Sequence, residues 1–449
     1  MKNETQNGIT KFKTGLPIFH QHCAGIDVGD TLHCVAISDG IDGHEVKTTS
    51  GFTSDLEGIV AYLLDHKITT AAMESTGIYW LPLYFLLEQA GIDVYLVNAK
   101  HVKNVTGRKK DDTDAIWIQK LHSCGLLQKS FQPTNQMRTL RDYTRQRRNL
   151  VTINADSVRR MQKALELMNI KLHTVISDIL GKTGTLIVNE ILKGERNAEV
   201  LSELCDGRIK ASRADIIKSL NGIWKEEYLF MLQQAVDHYQ FHLQQIKNCD
   251  EKIKNQLLKQ VAIINDGDVS KIQDPIVKAV KKNELNFNAI QYLVALTAVD
   301  LSQIEGLKEA SILEFIAEIG IDMTKWKSVK HFAAWLNIAP NSKISGGKIL
   351  SSKRMNKKNR AGLILKQAAF SISNSKSPLG DYYRKMRAKL GGKAAVVATA
   401  HKMARIIYKM LSEKIEYNPT IIQGTQQKYN EQKIKRLESQ IEKLKKQAA

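Results

Sequence analysis

Four carboxylates and one hydroxyl have the residue types and spacing to do chemistry in this chain of 449 residues. Asp27 lies in the run GIDVG, Glu74 in AAMES, and Asp111 and Asp114 stand three apart in GRKKDDTDAIW. Residues three apart share one face of a helix, so Asp111 and Asp114 project together from its first turn. Four carboxylates in one crevice repel one another, and the repulsion grows as water is excluded. Divalent cations remove that penalty. An all-oxygen donor set suits Mg²⁺ or Mn²⁺, and two such ions would clamp the attacking and leaving oxygens of a phosphoryl transfer. Lys109 and Lys110, directly upstream, would hold a nucleic-acid backbone beside the ions. Asp112 lies off the shared face, as a capping acid or a spare ligand. Taken singly, Asp27 is a turn residue, Glu74 a capping acid and the Asp111–Asp114 run a solvated helix start. Together, on the expected elements, they are less easily dismissed in that way.

The hydroxyl belongs to NIAPNSKISGGKILSSKRMNKKNR, a Gly-containing loop with four serines among many cations. Ser345 precedes Gly346 and Gly347, so the backbone around it is the least crowded and a phosphodiester could approach. An activated serine in the place of water would form a phosphoserine link to DNA. On chemistry alone Ser342, Ser351 and Ser352 compete with it. Lys348, Lys353, Arg354, Lys357, Lys358 and Arg360 read as phosphate contacts, since a solvated surface would carry more acids.

The acids need a sheet edge on which to meet. CAGIDVG, TLHCVAIS and HEVKTTS are three β-type runs separated by Gly/Asp turns, which predicts a meander. TSDLEGIVAYLLDHK follows as an amphipathic helix opened by Thr53 or Ser54. TTAAMES then reads as a buried strand, YWLPLYFLLEQAG as a helix closed by Gly91, and DVYLVNA as a second buried strand. Three antiparallel strands followed by two α/β units is the element order of an RNase H-like fold. In such a sheet Asp27 and Glu74 sit at the carboxyl ends of neighbouring strands and converge on one crevice. A doubly wound nucleotide-binding fold would want G-x-G-x-x-G after its first strand, and GIDVGD lacks it.

From about Gln136 to Val261 the strand signals stop. Leu229, Leu232, Val236, Tyr239, Leu243, Ile246, Ile253 and Leu257 form a heptad seam, interrupted where Asp250 takes a core position. Val151, Val158, Met161, Leu165 and Met168 make a weaker one. Two long helices that return on each other, or pair with another subunit, would bury both. GKTGTLIV lacks the upstream Gly of a phosphate loop. LSQIEGLKEASILEFIAEIG resembles a helix-hairpin-helix whose Ile304–Leu307 turn would offer N–H groups to a phosphate, with a plain αα-hairpin equally open. The C-terminal EQKIKRLESQIEKLKKQAA places Ile434, Leu437, Ile441 and Leu444 at heptad spacing, over too short a run to stand alone. The fold class expected is α/β plus all-α. Its parts are an RNase H-like domain over 20–130, a helical coiled-coil region over 131–265, a mostly helical C-terminal domain over 285–415, and a helical tail over 420–449.

The totals agree with a nucleic-acid partner. An apolar fraction of 43% is ordinary for globular protein, and the formal charge is +20. Between His331 and Met410 there are 17 Lys and Arg against one acid, Asp381, a net of +16. Cations concentrated among Ser, Gly and Asn suit phosphate backbones. A membrane surface is the competing polyanion, and no basic amphipathic helix with an aromatic face is present to meet one. The five cysteines lie far apart without a C-x-x-C pair, as in reduced cytosolic protein, and no leader-like apolar run opens the chain. A cytoplasmic, nucleoid-associated protein is expected.

GIDVG, MESTGIYW, NAKHVKNVTGRKKDDTDA and FAAWLNIAPNSKISGGK, in that order, resemble the DEDD-motif insertion-sequence transposases of the IS110 class, with linker lengths most like the IS1111 subgroup. The resemblance covers Ala24 to about Leu127 and Leu296 to about Leu411. It implies a RuvC-like N-terminal domain with Asp27, Glu74, Asp111 and Asp114 as a metal-binding tetrad for Mg²⁺ or Mn²⁺, a coiled-coil dimerisation region, and a C-terminal transposase domain with its serine nucleophile at Ser345. It further implies assembly as dimers or tetramers and a noncoding bridge RNA that pairs with donor and target DNA. The activity implied is cutting and rejoining of DNA strands through serine attack; a RuvC-like junction nuclease using water is the alternative.

Overall fold

The computed structural model of the protein describes residues 5–6, 9–10, 17–39, 43–75, 77–98, 102, 113–269, 272, 283–340, 343–351, 358–419, 434 and 438–441. The chain divides into two compact units, Met1–Gln132 and Pro133–Ala449.

After a short ladder of Thr5–Gln6 with Ile9–Thr10, the first unit is built on β1 (Cys23–Val28), β2 (Leu32–Ser38), β3 (His44–Ser50), β4 (Thr70–Glu74) and β5 (Asp93–Val97). Their order is β3-β2-β1-β4-β5. The first three strands pair antiparallel, while β1/β4 and β4/β5 are parallel. That is the order and polarity of an RNase H-like sheet, as the element pattern predicts. Alternation along the strands separates two faces. Ala24, Ile26, Val28, Ala71, Met73, Val94 and Leu96 pack under α1 (Thr53–Asp65) and α2 (Trp80–Gln89). Ala72 and Val97 point the other way, to Trp117, Ile118 and Leu121 of α3 (Asp114–Ser123).

Two local readings meet the structure differently. Gly91, with φ +79°, ends the α2 segment in the left-handed region where only Gly is unstrained, as expected. The N-cap of α1 is Phe52, without a side-chain cap, rather than Thr53 or Ser54. Strand β3 runs to Ser50, leaving two residues before the helix, so Thr53 is already helical. Ser50 takes over part of the capping work: its hydroxyl accepts from the Phe52 N–H at 3.3 Å and donates to Asp55 in the first turn.

Among the described residues the second unit is helical apart from one hairpin. Helices α4 (Asn135–Leu167) and α8 (Glu226–Ile264) run antiparallel, since Gln136 meets Gln256 and Gln260 while Arg147 meets Asp250. Within the chain the seams read from the sequence are buried at Met161, Leu165, Met168, Leu232, Ile246, Ile253 and Leu257 and half-buried at Val151, Val158, Leu229, Val236, Tyr239 and Leu243, and the two helices are joined by α5 (Lys182–Lys193), α6 (Ala198–Glu203) and α7 (Arg213–Leu220). Asp250, the interruption in the α8 seam, is answered by Arg147 at 2.5 Å, both side chains at most 5% exposed. The second carboxylate oxygen of Asp250 accepts from the Asn286 N–H at 3.3 Å, and Arg147 donates to the Glu284 carbonyl at 2.9 Å. Removing one partner of such a pair costs roughly 3–5 kcal/mol, because the other charge stays buried.

Further helices among the described residues are α9 (Ala289–Thr297), α10 (Glu309–Ile319), α11 (Val329–Trp335), α12 (Arg360–Ser371), α13 (Pro378–Leu390) and α14 (Gly392–Glu413). The Ile304–Leu307 turn is partly committed within the chain. A Cβ on Gly306 would lie 2.7 Å from the Ala368 carbonyl, so the turn is pressed against α12. The Ile304 and Leu307 N–H groups already donate to Leu301 and Ile304. Of the C-terminal heptad positions, Ile434 and Ile441 are exposed, and Leu437 and Leu444 lie outside the described residues.

Candidate active site

The strand register sets the first two acids side by side. Ile26 pairs with Met73 across the parallel β1/β4 ladder, so the next residues in step are Asp27 and Glu74, on strands about 4.8 Å apart. Ile26 and Met73 point into the core under α1 and α2, so Asp27 and Glu74 turn to the opposite face, that of α3. Both are half-buried.

Helix α3 brings the third acid to the same rim. A Cβ on Gly25 would lie 2.2 Å from both the Ala115 carbonyl and the Gln119 N–H nitrogen, so only Gly lets the helix backbone lie this close to β1. Asp114 is the first residue of α3, next to Ala115, and therefore arrives beside the strand end that carries Asp27. The Thr113 hydroxyl caps the helix by accepting from the Ile116 N–H at 3.3 Å. Asp27, Glu74 and Asp114 each have further polar or electrostatic partners. Asp111, with Asp112, Lys109 and Lys110, lies outside the described residues. Among the described residues, no group of three or more His, Cys, Asp and Glu is closed into a metal-holding cluster. Register and helix placement put Asp27, Glu74 and the start of α3 on one face of the sheet, and the three acids do not by themselves make a metal site.

Beneath that rim lies a layer of polar contacts that sequence reasoning passed over. The Gln119 side-chain oxygen meets His44 Nε2 at 2.9 Å, and its amide donates to Cys23 Sγ at 3.5 Å. The Thr70 hydroxyl donates its one proton to the Asp93 carbonyl at 2.8 Å, so His122 Nε2, 2.9 Å away, must be the donor to it. That fixes the Nε2–H tautomer of His122. Burial and the stacked ring of His20, 4.7 Å away, push the His122 pKa down to about 4, so the ring is neutral. The available signal was spacing: Gln119 and His122 fall three apart on the sheet-facing side of α3.

The serine segment is a hairpin rather than a loop. Strands β6 (Lys343–Ser345) and β7 (Lys348–Ser351) pair antiparallel, with Ser345 opposite Lys348. Gly346 and Gly347 have φ +54° and +76°, as a two-residue I′ turn requires at both central positions. K-I-S and K-I-L supply strand-forming residues on either side, which is why the Gly pair makes a turn and not a slack loop. A Cβ at either Gly would meet nothing within 4 Å. Ser345 and Lys348 are exposed beside this open turn. Ser351 is half-buried at the far end of β7, and Ser342 and Ser352 lie outside the described residues.

Among the expected phosphate contacts, Lys358 and Arg360 are exposed, and Lys353, Arg354 and Lys357 lie outside the described residues. Asn359 anchors this stretch: its amide donates to the Trp335 carbonyl at 2.9 Å, and its oxygen caps α12 through the Gly362 N–H at 2.8 Å. Arg360 opens α12 beside the Arg145–Glu318 and Arg148–Glu314 pairs, at 2.7 and 2.9 Å. The acids belong to the first unit and the serine hairpin to the second.

Residues 24–170 match a family model described as a transposase, of the DEDD type of IS110. Residues 299–384 match a second, described as a transposase of the IS116/IS110/IS902 family. The Thermus thermophilus RuvC structure aligns over 24% of this chain and 99% of its own, at 15% identity and a TM-score of 0.19. No match is found among curated proteins.

Proposed function

From the two IS110-family transposase domains that this chain carries, we propose that it is a DNA recombinase whose acidic rim and serine hairpin together cut and rejoin strands. The observation that carries the proposal is the β1/β4 register, which sets Asp27 and Glu74 in step on the face where Asp114 begins α3. Their chemistry fits a hard divalent cation: oxygen donors only, half-buried at Asp27 and Glu74 and exposed at Asp114, in a chain otherwise rich in positive charge. Asp27, Glu74 and Asp114, with Asp111, would hold Mg²⁺ or Mn²⁺. Such ions, when bound, neutralise the phosphodiester and favour ionisation of the attacking hydroxyl.

Ser345 then serves as the nucleophile. Its oxygen forms a new bond to phosphorus while the bond from phosphorus to a deoxyribose oxygen breaks, and that oxygen leaves with a proton. One phosphate ester is exchanged for another, so the energy of the broken bond is kept for rejoining. A hydroxyl of a new strand reverses the step and frees the serine. Lys348, opposite Ser345 in the hairpin, and the exposed Lys358 and Arg360 hold backbone phosphates; Lys109, Lys110, Lys353, Arg354 and Lys357 extend the same role. The open Gly346–Gly347 turn supports access of a duplex to the hydroxyl.

The reading extends to a bridge RNA that supplies target choice, to the IS1111 subgroup, and to a dimer or tetramer acting at the nucleoid. Among the described residues no helix is long and apolar enough to cross a membrane.

Ser345→Ala should abolish a denaturant-resistant protein–DNA adduct on a gel while DNA binding persists. An adduct that survives the substitution would remove Ser345 from the mechanism. Hydrolysed ends with no adduct in the wild type would instead establish the second reading, a junction nuclease using water, which the RNase H-like sheet also supports. Sequencing of copurifying RNA tests the bridge: a discrete structured transcript is expected.

A further inference from the structure

The second unit has a cleft that the reactions above do not use. One face of α14 lines it with Lys393, Ala394, Val397, Ala398 and His401, joined by Tyr382 of α13 and by Ile338 and Pro340 after α11. The cleft measures about 480 Å³, within the range of small-ligand sites. Small side chains at positions 394 and 398, one turn apart on the helix, leave the room. The lining is apolar, with one aromatic ring, one ammonium and one imidazole, and no carboxylate among the lining residues. The charge of Arg405, one turn past His401, reaches both His401 and Tyr382.

We propose that this cleft holds a single unstacked nucleobase of the DNA strand acted on by Ser345, an inference that rests on the reading of the hairpin given above. A nucleobase has two apolar faces and a polar edge, and sites for unstacked bases pair apolar or aromatic walls with a few polar groups. Val397 and the Tyr382 ring suit the faces; Lys393, His401 and the Tyr382 hydroxyl suit the edge. The net +16 between His331 and Met410 complements the attached backbone, whereas an apolar peptide or acyl chain would gain nothing from it. Pro340 lies five residues before Ser345 in the chain, which bounds their separation at about 18 Å. That is at most about five nucleotide steps along one strand. A base seated here would therefore set the register of the strand on the hairpin.

The test uses full-length protein in EDTA, where binding is read without cutting, and fluorescence anisotropy of two labelled 12-nucleotide probes: a single strand of thymidines and the same backbone with abasic sugars. Wild-type protein should prefer the base-bearing strand about tenfold. Ala398→Trp, which fills the cleft, should bind both strands alike, at the abasic level. Tyr382→Ala, which removes the ring without adding bulk, should lose most of the preference. Affinity for the abasic strand, carried by phosphates, reports that each variant is folded. Photo-crosslinking of a 5-iodouracil strand to wild-type protein should map to the peptides holding Tyr382 or His401, and needs no variant. No preference in the wild type, a preference kept by both variants, a crosslink mapped elsewhere, or discrimination seen only with an oligouridine RNA would overturn the assignment. A base preference without a Ser345 adduct would sink the recombinase reading alone; an adduct without the preference would sink the cleft alone.

Discussion

His122 shows how a residue outside the acid set is bound to it. It lies on α3, the helix that carries Asp114, and its ring donates to Thr70 of β4, the strand that ends in Glu74. A histidine in the unfolded chain titrates near 6.5, and this one is held at about 4 by burial, with His20 and Lys129 adding to the depression and Asp93 opposing it. Between those values the unfolded chain takes up a proton that the folded chain refuses. Stability is therefore unaffected by this group above pH 6.5 and falls as the pH drops through the window to 4. Going from pH 7 to pH 5, the wild type should lose about 2 kcal/mol more than His122→Gln, which keeps a donor for Thr70 but cannot be protonated. Urea denaturation at the two pH values measures the difference, and equal losses would show that His122 is not the group that titrates.

At the scale of elements, the placement of α3 on β1 through Gly25 decides whether the acids meet. A methyl group there would overlap backbone atoms of Ala115 and Gln119, neither of which can turn aside like a flexible side chain. Gly25→Ala should force α3 away from the sheet at a cost of about 1–3 kcal/mol. The core beneath α1 and α2 lies on the other face, so the sheet persists. Asp114, at the first position of the displaced helix, leaves the rim, and the expected result is a folded protein by circular dichroism whose DNA cutting falls at least a hundredfold. Unchanged cutting would separate α3 from the chemistry. The hairpin obeys the same logic in reverse: nothing packs on Gly346 or Gly347, and their left-handed φ values alone require Gly.

Over the whole molecule the charge is +20, and most of it lies in the stretch that contains the hairpin and the cleft. Each phosphate contacted releases a condensed counterion, so the logarithm of affinity falls linearly with that of salt, by about 0.9 per contact on duplex DNA. Four or more contacts predict a loss of about a hundredfold between 50 and 200 mM salt on random-sequence duplex. A titration by anisotropy measures the slope, and a flat response would mean that these cations do not face phosphate. The Arg147–Asp250 pair sets a second feature at this scale, since it joins α4 to α8 through a buried charged contact.

Much of this was written into local sequence. Strand and helix periodicities along residues 22–99 specify the order of elements, because each residue's preference for core or solvent repeats at its own element's period. The acids at strand ends and the Gly pair beside Ser345 are legible for the same reason. Other features depend on residues far apart in the chain. The register that sets Asp27 level with Glu74 is a pairing across 47 positions, and the approach of α3 to Gly25 spans 90. The turn at Gly306 has a sequence that suits phosphate, yet the carbonyl of Ala368 occupies the space beside it. The heptad stripes specified that two helices bury apolar faces; the antiparallel return of α4 on α8 specified where. Periodicity is a property each residue carries alone, whereas register, close approach and occupancy of space belong to pairs, and only the folded chain selects the pairs.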